Sequence, residues 1–337
     1  MSQSAATHPF DNDFRVTAEL KEQFARDGFV KLEGFLNQSA VAMLQDRSDV
    51  ELNRTSAVNL RAVNFSKVQY DFDSPKAHIF ELMERPYFRE TLTALTGRDL
   101  FLTFEMSFEI EKNVNKGVPW HVGVQSFGFQ FAEDFACTLW APMDPIDANG
   151  QRGGMAYVPQ HVVSGEYVYS ADMVVGDVLK AREEQSGKRT GVQDYFSLRM
   201  AFLNNPVMEE LLDVHRIEDD FSPGDVLLFN KNVVHRSVML GDGDLAHRTA
   251  YVLRLVDAMS RYDLRRARAL EFPVEHYSRG LIPYKPATRQ HIEIAEAGAS
   301  HGDLIAECDF FSDRDRRMIR AQAPAGSTPA VQPAPWA

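Results

Sequence analysis

"SPGDVLLFNKNVVHRS" (residues 222–237) is the stretch whose reading decides the fold. Pro223-Gly224 suits the centre of a type II turn, because Pro presets the first φ and Gly accepts the positive second one. The apolar run after the turn has no polar alternation, which predicts a strand buried on both faces. His235 ends that stretch. Downstream, "RTAYVLRLVD" (248–257) predicts the last long strand. Its period of two places Arg248, Ala250, Val252 and Arg254 on one face. Upstream, "DLFLTFEMSFEIE" (99–111), "VGVQSFGFQF" (122–131) and "FACTLWAPM" (135–143) are aromatic and apolar runs of strand length, followed by "GGMAYVPQH" (153–161).

Helices flank this β-rich middle. The pattern from Thr17 to about Asp27 is helical, with Thr17 as cap and Gly28 as the left-handed stop. "FVKLEGFL" reads as a short strand, and a second helix is expected near Asn37. Residues 165–214 break the β pattern: "ADMVVGDVLKAREEQ" and "NNPVMEELLDV" read as helices, the second with Asn205 as cap and Pro206 in the first turn. So long an excursion suits a lid over a site, or a plain packing pair of helices. The expected architecture is mainly β: an antiparallel barrel or double sheet with N-terminal helices and an α-helical insert. Residues 14–320 read as a single domain, between a loose polar N-terminus (1–13) and a disordered Pro/Ala-rich tail (321–337).

A net charge of −12 argues against nucleic-acid or anionic-membrane partners, which demand clustered positive charge. The basic run "RYDLRRARAL" (261–270) reads as a solvated helix face. Cys137 and Cys308 are the only cysteines, a usage that suits a reducing cytoplasm. The N-terminus lacks the basic start and apolar core of a signal peptide, and no apolar run approaches the roughly 20 residues that span a bilayer. The expectation is a soluble cytoplasmic protein.

Most of the ten histidines sit in polar stretches where a surface role is the default. His121 and His235 differ, since each stands at the end of a strand-like apolar stretch and the two are far apart in sequence, as a metal site at a barrel mouth requires. Arg248, on a buried strand, needs an anion: an acidic side chain, or a small bound diacid held in bidentate fashion.

With these residues in place, the chain resembles the phytanoyl-CoA dioxygenase-like group of Fe(II)/2-oxoglutarate enzymes. "TAELKEQFARDGFVKLEGFLNQSAVAML", "LWAPMD", "GGMAYVPQH", "SPGDVLLF", "VVHRS" and "RTAYVLRLVD" follow that family's order over about residues 15–260. The resemblance implies a double-stranded β-helix (jelly roll, cupin-like) with iron bound by His121 and His235. It implies that Arg248 clamps 2-oxoglutarate, with Arg254 the alternative by register.

Most members carry Asp two residues after the first metal histidine; here that position is Gly123. In this the chain resembles the family's halogenases, and most of all the carrier-independent hapalindole and welwitindolinone type. The resemblance implies cofactors Fe(II), 2-oxoglutarate, O2 and chloride (or bromide), with the halide in the place that Gly123 leaves open. The implied reaction is aliphatic C–H chlorination by hydrogen abstraction and chlorine rebound on a free, largely apolar small molecule such as an alkaloid or terpenoid. No carrier protein is implied. Trp120, Phe127 and Phe129 are candidates for the substrate pocket, with core packing as the plain reading of each. Two other readings stay open: an Fe(II)/2-oxoglutarate hydroxylase or related oxidation with water in that place, and an inactive small-molecule-binding protein. Gly123 as a simple strand bulge also remains open.

Overall fold

A computed structural model describes residues 8–54, 64–72, 74–123, 125–269 and 290–312. The chain forms α1 (Ala18–Asp27), β1 (Phe29–Leu32), α2 (Gln38–Leu52), β2 (Lys67–Tyr70), α3 (Ala77–Met83) and α4 (Pro86–Thr96). It continues through β3 (Leu100–Glu111), β4 (Ala136–Pro142) and β5 (Met155–Tyr157) to three helices, α5 (Glu166–Ser186), α6 (Val192–Met200) and α7 (Pro206–His215). β6 (Val226–Asn230), β7 (His235–Ser237) and β8 (His247–Asp257) follow.

The strands make a jelly roll. One antiparallel sheet has the order β1-β6-β4-β8-β3-β2, and β5-β7 belong to the facing sheet. Side chains alternate between two cores across the larger sheet. Phe29, Trp140, Leu227, Phe229, Ala250 and Val252 point into the roll, while Val30, Leu139, Leu228, Tyr251 and Leu253 point out against the N-terminal helices. Both faces are dry, so these strands read as continuous apolar runs. β3 needs one correction of phase. A bulge between Leu102 and Phe104 inserts Thr103, so Leu102 faces the helices while Phe104 faces the interior.

The local chemistry follows the expected signals. Thr17 caps α1 by accepting from the Leu20 amide, and Gly28 ends it at φ 79°. Asn205 caps α7 through the Met208 amide. Asp225 N donates to Ser222 O across Pro223-Gly224, and Gly224 has φ 106°, as a type II turn demands.

Three expectations need correcting. "VGVQSFGFQF" (122–131) is no strand: the chain makes a bridge at His121, turns through a 3₁₀ segment at Gln125–Phe127, and makes another bridge at Gln130. Its aromatic residues are buried without sheet pairing, and a short apolar run does not distinguish these two fates. Of the N-terminus expected to be loose (1–13), residues 9–12 are anchored, while residues 1–7 lie outside the described residues. Phe10 is buried, Asn12 Nδ2 donates to Gly34 O and Phe35 O, and Asn37 Nδ2 donates to Pro9 O and Asp11 O. In the basic run Arg265 and Arg268 are exposed as expected, but Arg266 is buried. The Pro/Ala-rich tail lies outside the described residues. Cys137 and Cys308 are free and buried, and no described helix is long and apolar enough to cross a membrane.

A buried polar knot joins the N-terminal helices to the larger sheet. Glu105, fully buried on the outer face of β3, accepts from Arg47 of α2 at 2.5 Å and from the Tyr251 hydroxyl, with Lys76 at 3.8 Å. Removing one partner of such a knot leaves an uncompensated charge in a dry place. Glu105→Ala is therefore expected to destabilise the protein by about 3–5 kcal/mol, read from urea or thermal unfolding.

Candidate functional site

The two predicted metal histidines, far apart in sequence, meet at the edge of the smaller sheet. His121 N donates to His235 O at 2.9 Å, and His235 N to His121 O at 3.0 Å. This narrow pair sets the imidazoles side by side, with ring centroids 4.2 Å apart. Each Nδ1 lies 2.8 Å from the carbonyl two residues earlier, Pro119 O and Val233 O respectively. A carbonyl only accepts, so each Nδ1 carries the proton and each Nε2 keeps its lone pair for a metal. Both rings are held neutral. Burial, followed by the neighbouring His235, keeps the His121 pKa well below its usual value, and burial brings that of His235 to about 4. Neutral imidazole is the ligand form.

β8 supplies two guanidiniums on the same inward face. Arg248 is fully buried; its Nε donates to Gly153 O at 2.5 Å, while Nη1 and Nη2 have no hydrogen-bond partner. Phe108 and Trp140 lie against it, 5.3 and 5.6 Å from ring centroid to guanidinium. Burial lowers its pKa to about 9, with Asp144 opposing. Two adjacent, unpaired η nitrogens in a dry pocket are the donor set for a carboxylate. Arg254 holds Thr138 Oγ1 and approaches Met106 Sδ at 3.9 Å, and its pKa is lowered to about 10 by burial. Its charge helps keep both imidazoles neutral. Arg254 pairs with Thr138, which pairs in turn with Phe229, and the Phe229 ring lies 4.7 Å from that of His235. Arg254 is thus the guanidinium beside the histidines, while Arg248 lies further back along the same strand against Phe108 and Trp140.

Gly123 N donates to Lys231 O at 3.2 Å, which continues the pairing begun at His121. A Cβ there would meet the edge of the Phe127 ring at 3.1 Å and Lys231 O at 3.5 Å, so any side chain at this position must displace Phe127 slightly. The same ring lies 5.8 Å from the Arg254 guanidinium. Phe127 therefore bounds the space beside Gly123. Trp120 packs in the core under Arg236, 4.7 Å away, and Phe129 is fully buried in the same cluster. Among the described residues, no acid or thiol joins the two imidazoles in a group of three.

The helical insert is fastened to the segments that carry His121 and His235. Gly165 N donates to Asn232 O at 2.8 Å, Asn204 Nδ2 to Trp120 O at 2.8 Å, and the Tyr169 hydroxyl to Phe127 O. Arg199 of α6 is buried near enough for its charge to lower the His121 pKa. Sequence reasoning missed Thr138, Tyr169, Arg199 and Lys231. Tyr169 and Arg199 lie on helices whose docking no local pattern encodes. Thr138 and Lys231 sit in apolar stretches, and a polar residue inside such a run was the available signal.

Two lone-pair-bearing Nε2 atoms and an unpaired buried guanidinium fit Fe(II) and 2-oxoglutarate. Arg248 costs stability until an anion reaches it, which has a measurable consequence. Arg248→Met is expected to stabilise the ligand-free protein by roughly 1–3 kcal/mol. The same change should weaken 2-oxoglutarate binding by about 100-fold or more. Thermal melts with and without 2-oxoglutarate read both effects.

No family model matches the chain, and no curated protein matches it. Solved structures do resemble it. The non-heme alpha ketoglutarate dependent carbocyclase SnoK from nogalamycin biosynthesis aligns over 73% of this chain and 86% of its own, at TM-score 0.52 and 12% identity. The alpha ketoglutarate dependent epimerase SnoN of the same biosynthesis aligns over 72% and 84%, at TM-score 0.50 and 18% identity. EctD from S. alaskensis in its apoform aligns over 76% and 82%, at TM-score 0.51 and 14% identity. The chain thus shares the jelly-roll fold of these proteins, with its own helices around the roll.

Proposed function

We propose that this chain is an Fe(II)/2-oxoglutarate-dependent halogenase acting on a free small molecule. The single observation that carries the reading is the charge of the metal face. Two neutral imidazoles lie there with the Arg254 guanidinium beside them, and among the described residues no carboxylate completes the ligand set. In the usual facial triad a carboxylate supplies that negative charge. With Gly123 in its place, an anion from solution restores the balance, and chloride or bromide is small enough to lie beside the metal.

The protein's own groups divide the work. His121 and His235 hold the metal through Nε2, each fixed in tautomer by a backbone carbonyl. Arg248 holds the distal carboxylate of 2-oxoglutarate, and Arg254 adds positive potential next to the metal. Iron with 2-oxoglutarate and O2 supplies an oxidant able to take a hydrogen atom from an unactivated C–H. The insert, tied at Asn204, Gly165 and Tyr169, covers the mouth and keeps water from the reacting centre. The substrate is proposed to lie against Trp120, Phe127 and Phe129, with no carrier protein. SnoN and SnoK, whose fold this chain shares, favour a second reading: another 2-oxoglutarate-dependent oxidation of a natural product, with water beside Gly123.

Anaerobic titration separates the two. Chloride is expected to perturb the metal-to-ligand charge-transfer band of the Fe(II)–2-oxoglutarate protein, and Gly123→Asp to abolish that response along with chlorination. Mass spectra of product mixtures should carry the chlorine isotope pattern. A band indifferent to chloride, with oxygenated products only, would establish the second reading instead.

A further inference from the structure

We propose that Tyr169 is a positioning residue for the anion place beside Gly123, acting through the ring of Phe127. The inference rests on the reading that an anion joins the metal at Gly123. Phe127 bounds that place, yet the segment from Gln125 to Phe131 belongs to no strand and cannot hold its own carbonyls in a ladder. Isolated backbone bonds hold them, from Gln130 N to Phe127 O at 3.4 Å, Asp263 N to Phe129 O at 2.9 Å and Asp134 N to Phe131 O at 3.2 Å, and two buried side chains add to these. The Tyr169 hydroxyl donates to Phe127 O, with Gln130 O at 3.2 Å, and Lys231 Nζ donates to Phe131 O at 3.1 Å.

These two side chains are themselves locked together. Lys231 Nζ sits 4.3 Å from the Tyr169 ring centroid, and the Arg266 guanidinium lies 3.7 Å from the same centroid. Arg266 Nη2 also donates to Tyr169 O at 2.5 Å. The Arg266 cation against the aromatic face fixes the ring's plane and therefore the direction of its hydroxyl, and burial, followed by Arg266, brings the Lys231 pKa down to about 7. Tyr169 and Lys231 are both buried, so no solvent competes for these bonds. The chain of contact runs from α5 through Tyr169 to the Phe127 carbonyl, then through the Phe127 ring to Gly123. One hydroxyl thus links the seating of the insert to the width of the anion place.

Tyr169→Phe removes that hydroxyl and keeps the ring between its cations. In the metal-free protein, hydrogen exchange of the amides at 128–131 is expected to rise about tenfold. In the anaerobic Fe(II)–2-oxoglutarate protein, titration with chloride and with bromide should show their affinity ratio moving about threefold toward bromide. In a Phe127→Met background the same change should add nothing, because the route through the ring is gone. Lys231→Met, which removes the side-chain donor to Phe131 O at the other end of the segment, is read in the same way if Tyr169→Phe does not fold. Wild-type protein indifferent to both halides overturns the reading of Gly123 and this inference with it. A responsive wild type with an unchanged ratio in Tyr169→Phe overturns the inference alone, as does a shift that persists in Phe127→Met.

Discussion

Arg248 carries a guanidinium into the roll with neither η nitrogen hydrogen-bonded, and desolvation there pulls its pKa down to about 9. Such a group is costly until an anion arrives, and the fold is arranged to hold it in that state. β8 lies between β3 and β4, apolar on both faces, so the strand cannot move to bring the charge to water. Gly153 O fixes Nε, and Phe108 and Trp140 flank the plane. The guanidinium is therefore oriented before any ligand binds, and little freedom is lost when one does.

The same strand aims a second charge at the histidines. The bulge at Thr103 donates a hydroxyl to Arg254 O just where Arg254 turns toward the metal face. The chain carries a net charge of −12, yet this interior is locally positive and its histidines are neutral. Among the described residues no acid joins the two imidazoles. The proposed dianionic cosubstrate and small anion would both gain from that field, in a dry place where screening is weak. The physical case for an anion beside Gly123 lies in this charge balance more than in empty space, since Phe127 already bounds the position.

Legibility in the sequence tracked the range of the forces involved. Caps at Thr17 and Asn205, the turn at Pro223-Gly224 and the strand at 248–257 depend on neighbours a few residues away, and all could be read. Residues 122–131 could not, because apolar side chains are buried equally well by a strand or by an irregular segment. Arg266 was expected on a solvated face, and only its distant partner Tyr169 accounts for its burial.

His121 and His235 stood out by their place at the ends of apolar stretches and Arg248 by strand phase, which are properties of the chain itself, whereas the roles given to Gly123 and Arg254 came from the family resemblance. The sequence by itself determined the β-rich architecture and its helical insert, and pointed to the residues proposed to bear the chemistry. Tertiary structure alone decided that the two imidazoles lie 4.2 Å apart with their Nδ1 protons committed to carbonyls. It also decided that Arg254 is the guanidinium beside them, and that the ring against Gly123 is held by a tyrosine of the insert. These facts come from pairing and desolvation between segments far apart in sequence, and such contacts exist only once the roll has closed.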